Sequence, residues 1–304
     1  MRCSGGVPTN PRYIEPRSVY FITRCIEGRR FLLRPDRQLS SVFQYMLAHY
    51  AKRHGVDVHL VVVMSTHFHM VVSVEGGNVS DFMHDLDLLL SKEIKRLRPD
   101  AIGVTWEPGK LSVVQLLDRE ALIEELAYSM ANPVEAGLVW EPHLWPGVTA
   151  TVDELGVKVL EGERPPGRSP KRWPAKASIP LTWPEWLADD VEDAKARIQA
   201  RLDVLVEKAH AKIEREGWKV MSARQAQRVS PYRVARTRHA PGLRPHLAAG
   251  SKAVRREGIA RLKAFRARHR ECKRRWCAGE RDVVFPAGTY WMKKHHGVRT
   301  EPFP

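Results

Sequence analysis

The sequence predicts an α+β fold: an antiparallel sheet with helices packed on one face, followed by a mainly helical basic region. Three observations predict it. Runs that alternate apolar and polar residues with a period of two are interleaved with runs of period 3.6. Capping residues and glycines fall at the joints between those runs. The excess positive charge is confined to the second half of the chain.

Residues 18–26, Ser-Val-Tyr-Phe-Ile-Thr-Arg-Cys-Ile, read as a half-buried strand that Gly28 ends. Residues 36–54 carry Leu39, Val42, Phe43, Met46, Leu47 and Tyr50 at helical spacing, with Gly55 as C-cap. Residues 57–64 are β-branched and form a second strand. Ser65-Thr66 then turns the chain into a third strand, His67 to Val74, which Gly76-Gly77 breaks. Asn78 or Ser80 can cap a helix that runs to about Leu97 on Phe82, Leu86, Leu89, Leu90 and Ile94, and Pro99 stops it. Residues 111–117 can form a fourth strand. Asp118 caps a helix with Leu122, Leu126 and Tyr128 that is expected to end at Asn132-Pro133. The order β-α-β-β-α-β-α is a split βαβ, ferredoxin-like plan, contained in residues 1–150.

Residues 151–190 read differently. Pro165-Pro166, Gly167, Pro170, Pro174, Pro180 and Pro184 suggest a linker or arm. Residues 191–304 form the basic helical region. A long amphipathic helix is expected from Val191 to Glu216, with Ala194, Ile198, Leu202, Leu205, Ala209 and Ile213 on one face, and another from Ser251 to about Trp276. Val283 to Pro286 and Tyr290 to Met292 make an aromatic tail element.

The composition bounds the function. A chain of 304 residues that is 43% hydrophobic can bury a substantial core. No apolar run approaches the ~20 residues of a membrane span. Met1 to Gly6 lack an apolar signal-peptide segment. The expectation is a soluble, cytoplasmic protein, nucleoid-associated when it holds DNA. Cys3, Cys25, Cys272 and Cys277 are too scattered for a disulfide framework. Residues 1–150 hold 16 Lys and Arg against 17 Asp and Glu, whereas Lys219 to Arg281 hold 19 against 3. With so few acids nearby, helical ion pairing does not account for that run, and a polyanion, nucleic acid first, is the expected partner.

His67 and His69 flank Phe68 on one strand, so both imidazoles leave the same face while Phe68 enters the core. Two neutral imidazoles on one face make half of a divalent metal site. A third ligand must come from another element. Tyr128 is the best candidate nucleophile, because attack by a phenol oxygen conserves a phosphodiester's bond energy in a phosphotyrosine. Tyr20, Tyr45 and Tyr50 read as structural. Asn132 lies at i+4 from Tyr128 on the same helical face, where its amide oxygen can complete the metal shell. The alternatives remain open: Tyr128 as a packed aromatic, and Asn132 as a helix-stop residue before proline.

These residues carry a resemblance. His67-Phe68-His69 after an apolar strand, Tyr128, and the string Asn132-Pro133-Val134-Glu135-Ala136-Gly137-Leu138-Val139 resemble the single-tyrosine HUH transposases, the IS200-like group and especially its REP-associated tyrosine transposase branch. Val19 to Arg24 match that family's opening strand, and the resemblance covers roughly residues 15–145. It implies Mg²⁺ or Mn²⁺ held by the two histidines and an amide side chain. It implies a 5′-phosphotyrosine on single-stranded, hairpin-bearing DNA with release of a 3′-OH. The chain departs from the family at Ser65-Thr66, where Pro-Asn is common, and in a shortened Asp100 to Lys110 segment that keeps Trp106 and Gly109.

The expected activity is therefore metal-dependent cleavage and rejoining of single-stranded DNA near hairpins, by a monomer or homodimer. A relaxase or replication-initiator-like nickase of the same chemistry, or an inactive hairpin-binding regulator, are the alternatives. Arg255, Arg256, Arg261, Lys263, Arg266, Arg268, Arg270, Lys273, Arg274 and Arg275 are expected to grip phosphates rather than read bases. Trp276, Tyr290 and Trp291 can stack on unpaired bases or pack internally. His59 falls off the alternation of its strand and reads as a satisfied or exposed histidine. His269, Cys272, Cys277 and His295-His296 are too loosely spaced to predict a zinc site.

Overall fold

A computed structural model describes residues 11–235 and 245–303. Cys3, the Met1 to Gly6 segment and residues 236–244 of the basic stretch lie outside the described residues. The first element, β1, is Ser18–Ile26. Helix α1, Arg37–His54, starts at Asp36, whose carboxylate accepts from the Leu39 N–H at 2.9 Å, and ends at Gly55 in the left-handed region with φ 60°. β2, Val56–Val63, and β3, His67–Val74, flank the Ser65-Thr66 turn. Helix α2 is Val79–Leu97. Asn78 holds its N-cap position without capping it, because the amide donates instead to the His54 carbonyl at 2.8 Å. β4, Trp106–Leu116, begins earlier than residue 111, pinned where the Trp106 indole N–H donates to the Asp87 carbonyl at 2.8 Å. Helix α3 is Arg119–Glu135.

The rest of the chain gives β5 (Val159–Glu163), β6 (Lys176–Pro180), α4 (Glu185–Ala188), α5 (Val191–Arg215), α6 (Ala223–Arg228), β7 (Leu247–Ala248), α7 (Lys252–Cys277) and α8 (Trp291–His296). The main sheet has the order β2-β3-β1-β4-β7. Its first four strands pair antiparallel, and β7 adds a short parallel edge to β4. Each βαβ unit, β1-α1-β2 and β3-α2-β4, brackets a strand of the other.

The expectation of helices on one face is corrected. Neighbouring residues of β3 point to opposite faces. The Phe68 ring meets Phe43 of α1 at 5.3 Å between centroids, while the His69 ring meets Tyr128 of α3 at 5.6 Å. So α1 lies on one side of the sheet and α3 on the other. Strand β2 is accordingly buried at all but one position. Helix α3 can sit there because its apolar surface extends around it, and α5 covers its outer side through Arg201 on Glu124 (2.7 Å) and Arg119 on Asp193 (2.9 Å).

Residues 151–190, expected as a linker or arm, contain the β5–β6 hairpin, which packs on α1. Gly162 permits the approach: a Cβ there would stand 2.1 Å from the Ser41 carbonyl oxygen and 2.4 Å from the Tyr45 nitrogen. Tyr45 returns a hydrogen bond to the Pro174 carbonyl at 2.7 Å. One buried apolar core runs from Ile14 to Ala226, and a smaller one joins Val283, Phe285, Met292 and Val298 to the side of α7. No helix among the described residues is long and apolar enough to cross a membrane.

Candidate active site

The alternation of β3 brings His67 and His69 together on the α3 side of the sheet. Their Nε2 atoms face each other at 3.1 Å. Each ring is held from behind. Thr23 Oγ1 of β1 meets His69 Nδ1 at 3.0 Å, and Thr66 Oγ1 meets His67 Nδ1 at 2.9 Å. His69 is buried and stacks on Phe21 at 5.2 Å. Burial, and then the neighbouring His67, push its pKa well below the usual imidazole value, so it is neutral.

Helix α3 brings Tyr128 against this pair. Its ring packs edge-on to both His69 and Phe21. Burial first, then the charges of Glu135 and Glu125, push the phenol pKa up to about 12, opposed by a hydrogen bond from Asn132. The other strand and helix tyrosines are engaged elsewhere: Tyr20 donates to the Glu15 carbonyl at 3.0 Å, and Tyr45 to Pro174.

The expected end of α3 at Asn132-Pro133 is also corrected. The helix continues through Pro133 to Glu135. Proline removes one backbone donor there, but Pro133 and Val134 are buried, so packing holds the turn in spite of it. Asn132 is therefore an interior helical residue. It is buried and shares the Tyr128 face.

The pair fits a divalent ion. Two ligand atoms at right angles on an ion with bonds of about 2.1 Å stand roughly 3 Å apart, close to the observed Nε2 separation. Both Nδ1 atoms already have hydroxyl partners, which is the outer-shell support that orients imidazole ligands. Among the described residues no three His, Cys, Asp or Glu side chains converge to hold a metal.

His67, Tyr128 and Asn132 open onto a cavity of about 890 Å³. Apart from the Ser65-Thr66 turn, the string through Leu138 and the basic stretch from Lys219, its other walls were not singled out in the sequence. Arg29 and Phe31 come from the loop after β1, Glu135 from α3, and Lys212, Trp218, Lys219, Arg228 and Arg233 from the segment that ends α5 and contains α6. Lys219 to Arg233 lay within the basic stretch, but the density of charge pointed to α7 instead. None of the ten basic residues chosen on α7 lines this cavity. Several are engaged within the protein. Arg274 pairs with Glu271 at 2.7 Å, Arg275 with Glu280, Arg268 with Glu301, and Arg261 with Glu15 at 3.6 Å. Arg255 donates to the Ala249 carbonyl at 2.8 Å, and Arg266 is half-buried. Arg256, Lys263, Arg270 and Lys273 are exposed and make no ion pair among the described residues. Trp276 carries Arg281 over its ring at 4.3 Å, Tyr290 donates to Asp81, and Trp291 is exposed.

No family model and no curated protein matches this chain. Solved structures are similar to it, these two among them. A REP-associated tyrosine transposase bound to a REP hairpin is 17% identical with a TM-score of 0.41, over 49% of this chain and 85% of that one. A candidate transposase from Deinococcus radiodurans R1 is 16% identical with a TM-score of 0.28, over 35% of this chain and 85% of that one. Neither likeness is close enough to decide the fold or the chemistry of this chain, which rest on its own residues.

Proposed function

We propose that this chain is a metal-dependent, HUH-type tyrosine transposase built on the ferredoxin-like plan, acting on single-stranded DNA beside hairpins. The observation that carries the reading is the juxtaposition of the two Nε2 atoms at 3.1 Å with the Tyr128 ring and Asn132 at the wall of one cavity. His67 and His69 would hold Mg²⁺ or Mn²⁺ through Nε2, with the Asn132 amide oxygen as third donor. The bound ion supplies Lewis-acid polarisation of a nonbridging phosphate oxygen.

The protein groups do the rest. The Asn132 amide, which opposes the upward shift of the phenol pKa, would aim the phenol oxygen. Tyr128 Oη gives up its proton and bonds to phosphorus as the bond from phosphorus to the 3′ oxygen breaks, and that oxygen leaves as a 3′-OH. A second 3′-OH later attacks the same phosphorus and returns Oη as a phenol, so no nucleotide cofactor is consumed. The hairpin stem lies against the exposed cations of α7.

The test is covalent capture on a hairpin oligonucleotide with a single-stranded flank. Wild-type protein with Mn²⁺ forms an adduct stable to denaturation, and Tyr128→Phe forms none while binding the oligonucleotide equally well. An adduct in the Phe variant would place the nucleophile elsewhere.

A further inference from the structure

The cavity over Tyr128 is closed by chain that the catalytic motifs do not include. The segment from Lys212 to Ala235 is tied down at four points. Met221 N–H donates to the Gly137 carbonyl at 3.1 Å, and Phe31 N–H to the Arg233 carbonyl at 2.9 Å. Ala235 N–H donates to the Arg29 carbonyl at 3.1 Å, and the Arg34 guanidinium to the Val229 carbonyl at 3.0 Å. Within it α6 is fixed by a capping box of Ser222 and Gln225. The wall is a built part of the fold.

Its positive charge is left without acidic partners among the described residues. Arg29, Lys212, Lys219, Arg228 and Arg233 line the cavity, and Glu135 is the only carboxylate among the described lining residues. None of the five cations makes an ion pair among the described residues, whereas Arg268, Arg274 and Arg275 of α7 each do. Arg29 adds two signs of a functional position. Its backbone is left-handed, with φ 53°, a conformation a non-glycine residue holds only under surrounding constraint, and its Nε is buried with no acceptor. Lys212 lies over the Trp218 ring at 5.0 Å, and Arg233 over Phe31 at 6.0 Å. Cations spread along a large cavity and interleaved with aromatic rings suit a ligand of repeated phosphates and flat apolar bases. Only an unpaired strand offers its base faces to such rings.

We propose that the Lys212 to Ala235 wall, with Arg29 and Phe31, is a cleft for an unpaired DNA strand that it leads to Tyr128. The inference rests on the reading of Tyr128 as nucleophile. It moves the grip on the scissile strand from the densely charged helix α7 to a sparser wall.

Binding of fluorescent oligothymidylate, which has no hairpin, tests it in full-length Tyr128→Phe protein across a range of salt. Arg228→Ala with Arg233→Ala lowers the slope of log affinity against log salt by about 1.4. Trp218→Ala weakens binding about tenfold and Trp218→Phe recovers most of it. Lys171→Ala with Arg172→Ala, a charge-matched pair on the β5–β6 loop, changes neither. Unchanged affinity and slope in the wall variants, or equal losses in the control pair, overturn the cleft. Adduct formation is scored separately in the Tyr128 background. Wall-dependent binding without any wild-type adduct overturns the nucleophile and leaves the cleft standing. A normal adduct with wall-independent binding does the reverse.

Discussion

His59 and His69 lie on neighbouring strands and are both buried, yet their surroundings separate a structural histidine from the proposed ligand. Both ring nitrogens of His59 are taken, Nδ1 by the Thr182 carbonyl at 2.9 Å and Nε2 by Ser73 Oγ at 2.7 Å. Burial pushes its pKa down to about 4, against a smaller opposing hydrogen bond. A histidine depressed in the fold binds its proton more readily when unfolded. Its stabilising contribution is whole above pH 6.5 and is lost as pH falls from 6.5 toward 4, on the order of 3 kcal/mol. Urea unfolding between pH 7 and 4 should show that acid limb, and His59→Gln should flatten it. His69 instead keeps Nε2 turned to His67, with Thr23 behind it. Thr23→Val keeps the shape of the residue and removes that support. Mn²⁺ affinity measured by calorimetry should drop about 10- to 100-fold. Unaltered affinity would mean that the pair does not ligate.

At the scale of elements, the β5–β6 hairpin makes the sharpest prediction. Gly162→Ala forces a methyl group against the α1 backbone. Overpacking of this kind costs about 1–3 kcal/mol, read as a lower midpoint of thermal unfolding. The elements differed in how legible they were. β1, α1 and β3 stand where their own residues place them, because caps, turns and glycines mark their ends locally, but the half-buried alternation expected of β1 is not kept, since both faces of the sheet are covered and Ser18 to Ile22 are buried in succession. The run of α3 through Pro133 was not legible. Proline's local preference is overruled there by burial that residues far along the chain supply. Residues 151–190 read as a linker or arm because sequence does not show that α1 offers a surface for the β5–β6 hairpin. The same division holds for the site. His67, His69, Tyr128 and Asn132 are related by i+2 and i+4 spacing, which a sequence displays. Trp218, Arg228 and Arg29 meet only through the return of the chain over α3.

For the whole molecule, net charge of +15 is a poor guide to where the proposed DNA substrate would be held. Many of the arginines on α7 neutralise acids beside them. Among the exposed cations of α7 that stay unpaired, Arg256, Lys263, Arg270 and Lys273 are the ones proposed to meet a duplex stem. Changing all four to Ala should reduce the salt slope of hairpin binding by about 3 to 4, since each duplex phosphate that a side chain ceases to neutralise takes about 0.9 from the slope. A slope that stays put would remove α7 from the DNA interface.

Asp118 then acquires a meaning beyond helix capping. Its carboxylate takes the Ala121 N–H of α3 at 2.9 Å, and also the Gly250 and Ser251 N–H groups that lead into α7 at 2.9 and 3.1 Å. Burial opposes its charge, but those three donors outweigh it and hold the carboxyl below its usual range. The helix that presents the phenol and the helix that carries the cations are thus riveted to one side chain. A pull on α7 is therefore felt at the root of α3. A chain cut before Gly250 would lose two of the rivet's three donors and slacken the helix that presents Tyr128.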